Sequence, residues 1–214
     1  MALNSLLPTP LTPFQLFPYA LAGETVASGS AHGDNIAPCL LGGLTLCAEA
    51  PPSEGREGHK IARLPFPDDL SLILFHPHIV IETKMARSIL ARAVPLTSFV
   101  EQSMNLAGLI LGLYENDWDW IERSLHDVVI EPQRKKLIPG FDVLKKAALN
   151  AGAAGFSISG AGPSLFAACR GNIAALKIKM VLESVILEHN LKGDLWLSKI
   201  DHKGAQVIPG DKFL

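Results

Sequence analysis

The sequence predicts an α+β fold, in which strands pair mainly with antiparallel neighbours and helices pack against the resulting sheet. Hydrophobic residues make up 48% of the 214 residues and charged residues 19%, which is enough apolar material for a folded core. From residue 66 onward, strand-like apolar runs and helical patterns mix without a regular strand–helix alternation. This mixture favours an α+β sandwich over a doubly wound parallel sheet.

The first elements are predicted from their end signals. The opening heptad, residues 1–7, begins directly on apolar residues and is typical of the tail of a helix. Thr12 is then predicted to cap a helix, with Pro13 at its first position and Gln15 at its third, as in a capping box. This helix is expected to run to about Ala27, before the Gly29 turn.

A short helix and a strand are expected to follow, over residues 34–41 and 44–48. Residues 50–60 contain two prolines, two glycines and several charges, a composition typical of a loop. We therefore expect the domain boundary near this loop, with one domain over residues 1–64 and a second over residues 65–214.

The second domain is predicted to contain four helices in addition to one that Thr83 caps. A capping box at Ser98 and Glu101 is expected to open the longest helix. The predicted helices cover residues 83–90, 98–114, 117–127, 141–150 and 174–189. The predicted strands cover residues 71–75, 156–159, 164–169, 195–200 and 205–208.

Charge and composition exclude several classes of protein. The net charge is −2, and no basic patch of the kind that nucleic-acid binders carry is visible, so we expect no nucleic-acid partner. No apolar stretch reaches the length of a membrane span without prolines or charges, so we expect no membrane partner. The three cysteines, Cys39, Cys47 and Cys169, form no CxxC pair, and an odd number argues against a disulfide framework. A reducing, cytoplasmic location is the simpler interpretation.

A glycine-rich turn, Ser159–Ser164, separates two of the predicted strands. Glycines allow a backbone or a ligand to approach closely, so the turn is a candidate binding loop. The alternative is a plain tight hairpin, since such turns are common. A dinucleotide-binding fingerprint is excluded, because a third glycine is missing and a strand, not a helix, follows.

A second candidate site combines His32, Asp34 and Asn35 in a short glycine-flanked segment. Their carboxylate, imidazole and amide groups suit a polar ligand that carries an ammonium group. The alternative is that Asp34 or Asn35 simply caps the next helix. Glu24, near the end of the preceding helix, could supply a hard oxygen ligand to Mg²⁺, although a lone glutamate on a helix is more often solvated.

Arg87 and Arg134 each lie near a predicted helix start. A guanidinium binds a carboxylate or a phosphate in bidentate fashion, whereas a surface salt bridge is the commoner role. The two become informative only if the fold brings them together. His76 and His78 flank a proline, but without a third ligand we interpret them as loop residues, not as a metal site.

The order of these motifs along the chain is specific. Glu24 is followed by SGSAHGDNIAPCLLGG at 28–43, TKMAR at 83–87, IEPQR at 130–134 with LIPG at 137–140, AGAAGFSISGAGPS at 151–164, and GAQV at 204–207. Over nearly the whole chain, this order resembles the order of motifs in the homoserine kinases of the GHMP superfamily. The HxDN and EPxR runs are more specific to homoserine kinases than the glycine-rich turn, which the wider superfamily shares.

The resemblance implies a fold and an activity. The fold would be that of GHMP kinases, with the remnant of a ribosomal-protein-S5-like N-terminal domain over residues 1–64 and a ferredoxin-like α/β sandwich over residues 65–214. The activity would be ATP-dependent phosphorylation of the homoserine hydroxyl to O-phosphohomoserine, in threonine biosynthesis. The family analogy also suggests a homodimer.

The resemblance further implies the roles of individual residues. It implies that Glu24 binds Mg²⁺ and that Gly160, Ala161 and Gly162 lie beside the ATP phosphates. It assigns homoserine binding to a larger set and names no catalytic residue. The homoserine-binding set consists of His32, Asp34, Asn35, Thr83, Arg87 and Arg134.

One family motif is missing from the sequence. The family's glycine- and serine-rich phosphate loop, of the GLGSSA type, should precede Met1, and its absence leaves no backbone cradle of that kind for ATP. We therefore expect a fragment of a longer chain, a start codon placed too late, or a natural pseudo-kinase, with little kinase activity in the 214 residues alone. Two alternatives stay open, a sister GHMP kinase for another small alcohol and an amino-acid-binding module without kinase activity.

Overall fold

Two compact units make up the computed structural model, which describes residues 1–29, 32–49 and 59–208. The first unit consists of Met1–Pro65 together with the described residues from Ile200 onward, and the second unit is Phe66–Lys199. The described residues after Lys199 thus group with the first unit, whereas they were expected in a second domain over residues 65–214.

The first unit begins with a short 3₁₀ helix, Leu3–Leu6, where the tail of a helix was expected. Helix α1, Pro13–Ser28, starts at the predicted capping box. The Gln15 backbone N–H donates to Thr12 Oγ1 over 3.3 Å, and the Thr12 backbone N–H donates to Gln15 Oε1 over 2.9 Å. Helix α2, Gly33–Leu41, and strand β1, Leu44–Glu49, confirm the short helix and the strand that follow.

Strand β2, His59–Leu64, pairs antiparallel with β1. Two of its residues fall in the stretch predicted to be a loop, and residues 50–58 of that stretch lie outside the described residues. In the part of this unit that the structure describes, five buried side chains from α1 and α2 form a core. These residues are Phe17, Leu21, Ala37, Leu40 and Leu41.

The second unit is built on a four-stranded antiparallel sheet with the order β4-β5-β3-β6. Its strands are β3 (Leu70–Pro77), β4 (Gly155–Ile158), β5 (Leu165–Arg170) and β6 (Gly193–Ser198). Helices α7 (Phe141–Asn150) and α8 (Asn172–Glu188) pack against each other and against strands of this sheet. Their apolar faces meet it in one core, in which Ile73, Leu144, Phe156, Leu165 and Ile178 are almost fully buried. The predicted α+β class is confirmed.

Four further helices connect β3 to α7. They are α3 (Thr83–Ser88), α4 (Leu96–Glu115), α5 (Trp118–Ser124) and α6 (Glu131–Arg134), the last followed by a 3₁₀ turn, Lys135–Leu137. None of the helices within the described residues has both the length and the apolar character needed to cross a membrane.

Two predicted helix caps are wrong. Helix α4 begins at Leu96 with Pro95 as its N-cap, so Ser98 lies inside the helix. Proline fixes its own φ and disfavours helix N-terminal to itself, and the start is therefore set there, not at the capping-box pattern. Thr83 is the first residue of α3, and Glu82 occupies the cap position.

Two other predicted elements also differ. The helix expected over residues 117–127 ends at Ser124, and Asp127 instead binds the backbone around the start of α6. Its carboxylate accepts from the backbone N–H groups of Val129, Ile130 and Glu131 over 2.7–3.1 Å. Residues 205–208 do not form a strand. A Cβ atom added to Gly204 would lie 2.5–2.7 Å from backbone atoms of Leu40, Leu41 and Gly42, at the end of α2, so the neighbouring backbone is not a strand with which this segment could pair.

Candidate functional site

The first unit presents its predicted polar residues at the start of α2. His32 occupies the N-cap position, and Asp34 and Asn35 follow in the first turn with exposed side chains. The structure therefore brings these three residues together, and the alternative that Asp34 or Asn35 is the cap is wrong. An acidic side chain in the first turn is favoured by the helix dipole, which is positive at this end.

Close packing fixes the start of α2. A Cβ atom added to Gly33 would lie 2.8 Å from Cys47 Sγ on β1 and 3.2 Å from Phe17 Cζ on α1. Phe17 in turn makes an edge-on contact with the His59 ring, with centroids 5.6 Å apart. The polar residues flanking Gly33 thus stand on a helix end that two neighbouring elements hold in place.

Glu24 lies on α1, five residues before Gly29, and its side chain is half-buried. Among the residues that the structure describes, no group of three or more His, Cys, Asp or Glu side chains could hold a metal ion. Mg²⁺ is commonly held by one or two carboxylates together with substrate phosphates, so a single carboxylate remains compatible with that ion.

In the second unit, Arg134 joins three segments that the sequence analysis had singled out separately. Its Nε atom donates to the Ala86 carbonyl oxygen over 3.2 Å, and its Nη1 atom donates to the Gly160 carbonyl oxygen over 3.0 Å. Ala86 is buried in α3, next to the exposed Arg87 and in the same helix as Thr83. The guanidinium therefore links α3 and the glycine-rich turn through α6.

The turn between β4 and β5 is the predicted hairpin, and its glycines are required by its geometry. Gly160 has φ +58° and Gly162 has φ +86°, in the left-handed region that other residues rarely occupy. The Ser159 N–H donates to Ser164 O over 2.8 Å, and the Gly162 N–H donates to Ser159 O over 3.0 Å. No atom lies within 4 Å of the position a Gly160 Cβ would take, so a ligand can approach this backbone closely.

Sequence reasoning missed the role of Glu131, although it lies in the same EPQR run as Arg134. The residue is only 6% exposed, and its carboxylate pairs with Lys145 Nζ on α7 and accepts from Ser157 Oγ on β4 over 2.7 Å. These contacts hold α6 against both elements. A glutamate at a helix start usually faces solvent, so only the tertiary structure reveals its burial.

The two histidines on β3 and after it also have specific partners. His76 Nδ1 lies 2.9 Å from Ser164 Oγ, at the end of the glycine-rich turn, and His78 Nε2 lies 2.8 Å from Asp194 Oδ2. His76 thus holds the turn from the side opposite to β4.

The family model described as GHMP kinases C terminal matches residues 109–183 of the chain. Homoserine kinase from Chlorobium phaeobacteroides strain DSM 266 is 42% identical over 209 residues, which cover 97% of this chain and 63% of that protein. Homoserine kinase from Xanthomonas campestris is 39% identical over 208 residues, which cover 97% and 62%. The chain therefore spans just under two thirds of the length of the curated relatives that it matches.

Solved structures give the same picture. The crystal structure of homoserine kinase from Cytophaga hutchinsonii superimposes with a TM-score of 0.88 at 42% identity, covering 96% of this chain and 64% of that one. Mevalonate kinase from L. major, in complex with R-mevalonate, gives a TM-score of 0.70 at 15% identity and covers 96% of this chain and 63% of that one. The second comparison shows a shared fold alone.

Proposed function

Because the chain is homologous to homoserine kinases along 97% of its length and has the GHMP kinase fold, we propose that the protein to which it belongs is a homoserine kinase. The reaction transfers the γ-phosphoryl group of ATP to the homoserine hydroxyl and yields O-phosphohomoserine, a precursor of threonine. We place this reaction in the cytoplasm, in keeping with three cysteines that form no disulfide.

The substrate contacts follow from the charges of homoserine, which carries an ammonium group and a carboxylate. Asp34, in the first unit, is assigned to the ammonium group, with His32 and Asn35 as further hydrogen-bonding partners. Arg87 and Arg134, in the second unit, are assigned to the carboxylate, because a guanidinium binds that group in bidentate fashion. Thr83 is assigned to the same substrate.

The contact that best supports the proposal is the bond of Arg134 to Gly160. It places a candidate carboxylate-binding residue directly against the turn assigned to the nucleotide phosphates, within one unit. A kinase needs its acceptor and its phosphate donor side by side, since phosphoryl transfer depends mainly on positioning and charge neutralisation.

The turn of Gly160, Ala161 and Gly162 would approach the phosphates of ATP with its backbone, which no side chain shields at Gly160. Glu24 would supply a carboxylate ligand to Mg²⁺, which neutralises phosphate charge when it is bound. No side chain is assigned as a catalytic base.

Two other functions are kept as alternatives. An amino-acid-binding module or pseudo-kinase would bind homoserine through the same charged residues without transferring phosphate. Another GHMP kinase would phosphorylate a different small alcohol. The shared fold with a mevalonate kinase makes mevalonate the natural comparison, although that alcohol has no ammonium group for Asp34.

One experiment separates the three functions. The whole protein to which the chain belongs is titrated with L-homoserine and with mevalonate by calorimetry, and ADP formation from Mg-ATP is measured with each alcohol. A homoserine kinase binds homoserine and forms ADP with it alone. Binding without ADP formation would point to the amino-acid-binding module, and turnover with mevalonate to the sister kinase. If neither compound binds, the assigned substrate site is contradicted.

A matched pair of variants tests the assigned site directly. Asp34→Asn removes the charge assigned to the ammonium group and is expected to weaken homoserine binding at least tenfold, because the ammonium group then has a neutral acceptor in place of a carboxylate. Glu49→Gln serves as the control, since no substrate contact is assigned to it. Equal affinities of the two variants would contradict the role of Asp34.

A further inference from the structure

Arg134 uses its guanidinium in a way that the assignment to a substrate carboxylate does not require. Two of its N–H groups already donate to backbone carbonyl oxygens, those of Ala86 and Gly160, which are 74 positions apart in the sequence. An arginine that only binds the substrate carboxylate would need to present its charge to the substrate and would need no bonds to the backbone. The two backbone bonds instead tie α3 to the glycine-rich turn.

The helix that carries Arg134 is itself firmly held. Glu131, three residues earlier, is buried and binds both Lys145 of α7 and Ser157 of β4. The Glu131 backbone N–H in turn donates to Asp127 Oδ2 over 3.1 Å. The base of the Arg134 side chain is therefore fixed, and movement of α3 or of the turn relative to α6 strains the two guanidinium bonds.

We infer that Arg134 is a positioning residue that couples α3 to the glycine-rich turn, so that a ligand bound beside one alters the mobility of the other. A guanidinium suits this role, because its planar fork points donors in fixed directions, whereas a lysine ammonium is a flexible point charge. The functional consequence rests on the proposed function: homoserine bound near Arg87 would order the turn that meets the phosphates.

The coupling is tested by amide hydrogen exchange in the whole chain. In Arg134→Lys, the positive charge stays but the fork is lost. We expect roughly tenfold faster exchange of amides both in the turn, at Ser159 and Gly162, and in α3, because each loses a bond from a charged donor. Arg123→Lys, the same substitution on α5 in an exposed pair with Asp119, is expected to change neither.

The ligand-free comparison tests the two guanidinium bonds on which the coupling depends. Faster exchange in only one of the two segments, or in neither, would overturn it, and so would an equal effect of Arg123→Lys. Arg134→Gln is likewise expected to speed exchange in both segments. Arg134 is outside the buried core, so each variant should fold, and tryptophan emission verifies this.

Addition of homoserine extends the test to the ligand. In the wild-type chain we expect slower exchange in the turn at saturating homoserine, and in Arg134→Lys we expect no such change when calorimetry shows the ligand bound. Failure of homoserine to bind the wild-type chain contradicts the proposed function but not the coupling, whereas an unchanged response in bound Arg134→Lys contradicts the coupling.

Discussion

At the residue scale, Glu131 shows how a buried charge can serve a surface site. Its carboxylate interacts with an ammonium group and a hydroxyl group, and these contacts satisfy a charge that would otherwise be costly to bury. These interior contacts, three residues before Arg134, hold the helix from which its guanidinium reaches the surface.

Replacement of Glu131 is expected to destabilise the second unit. Glu131→Ala leaves Lys145, whose side chain is 21% exposed, without its partner, and we expect a loss of about 3 kcal/mol in the free energy of unfolding. Urea unfolding followed by tryptophan emission measures this loss, because Trp118, Trp120 and Trp196 all lie in the second unit.

Asp142→Ala provides the control for Glu131. It breaks a pair with Lys135 in which the Asp142 side chain is 73% exposed, and such pairs contribute at most about 1 kcal/mol. Equal losses in the two variants would show that burial of the Glu131 pair has no energetic importance.

The buried thiol of Cys169 gives a prediction about pH. Burial raises the pKa of this thiol to about 12, because a thiolate would lack solvation in the core. At pH 8 about one Cys169 in ten thousand is ionised, so an alkylating reagent is expected to modify the exposed Cys39 and spare Cys169 until the chain unfolds. Mass spectrometry of labelled peptides measures the difference.

The same shift predicts a loss of stability at high pH. The unfolded thiol releases its proton above about pH 8.5, whereas the folded thiol keeps it until about pH 12, so the free energy of unfolding falls as the pH rises between these values. Cys169→Ala removes this contribution and should flatten the decline. Labelling of native Cys169 at the rate of Cys39 would contradict the assignment.

At the scale of single elements, the position of α2 depends on one glycine. Gly33→Ala would push its Cβ into Cys47 Sγ, and we expect a loss of about 1–3 kcal/mol in stability from overpacking. Homoserine binding should weaken as well, because His32 and Asp34 flank the displaced residue. Thermal unfolding followed by circular dichroism, together with calorimetry, measures both effects.

Two variants sharpen this prediction. Gly23→Ala lies in the interior of α1, where nothing within 4 Å meets the new Cβ, so the better helix former is expected to stabilise by up to about 1 kcal/mol. The double variant Gly33→Ala/Cys47→Ala removes the clashing sulfur and should recover part of the loss. No recovery would mean that the clash with Cys47 is not the cause.

At the scale of the whole molecule, each unit has its own buried cluster. The core of the second unit draws its residues from β3, β4, β5, α7 and α8, all within Phe66–Lys199. A core of that kind is what a domain needs to fold independently. The first unit, by contrast, has within its described residues a small core of five residues and a two-stranded sheet.

The second unit is therefore expected to fold alone. A polypeptide of residues 66–199 should unfold cooperatively in urea, with tryptophan emission of the native chain before the transition, because Trp118 stays only 6% exposed. Glu131→Ala should cost this polypeptide as much as it costs the full chain. A polypeptide with fully exposed tryptophans would show that the second unit needs the first.

The sequence by itself determined much of the local structure. The capping box at Thr12 depends only on residues three apart, and the strands on either side of Gly160 follow from short apolar runs between glycines. The order of the motifs also predicted the family, because HxDN and EPxR runs are specific. The assigned roles of the individual site residues remain predictions.

Other features of the molecule were decided by contacts between distant residues. Strand β2 was missed because a strand also needs a partner, and β1 supplies it across a stretch that has the composition of a loop. The ion pair of Glu131 and the two bonds of Arg134 join segments up to 48 residues apart. Such contacts cannot be read from the spacing of residues within one helix or strand. The sequence determined which residues carry charge and indicated several of the helices and strands, whereas only tertiary packing decided which of those charges are buried, paired and brought to the turn.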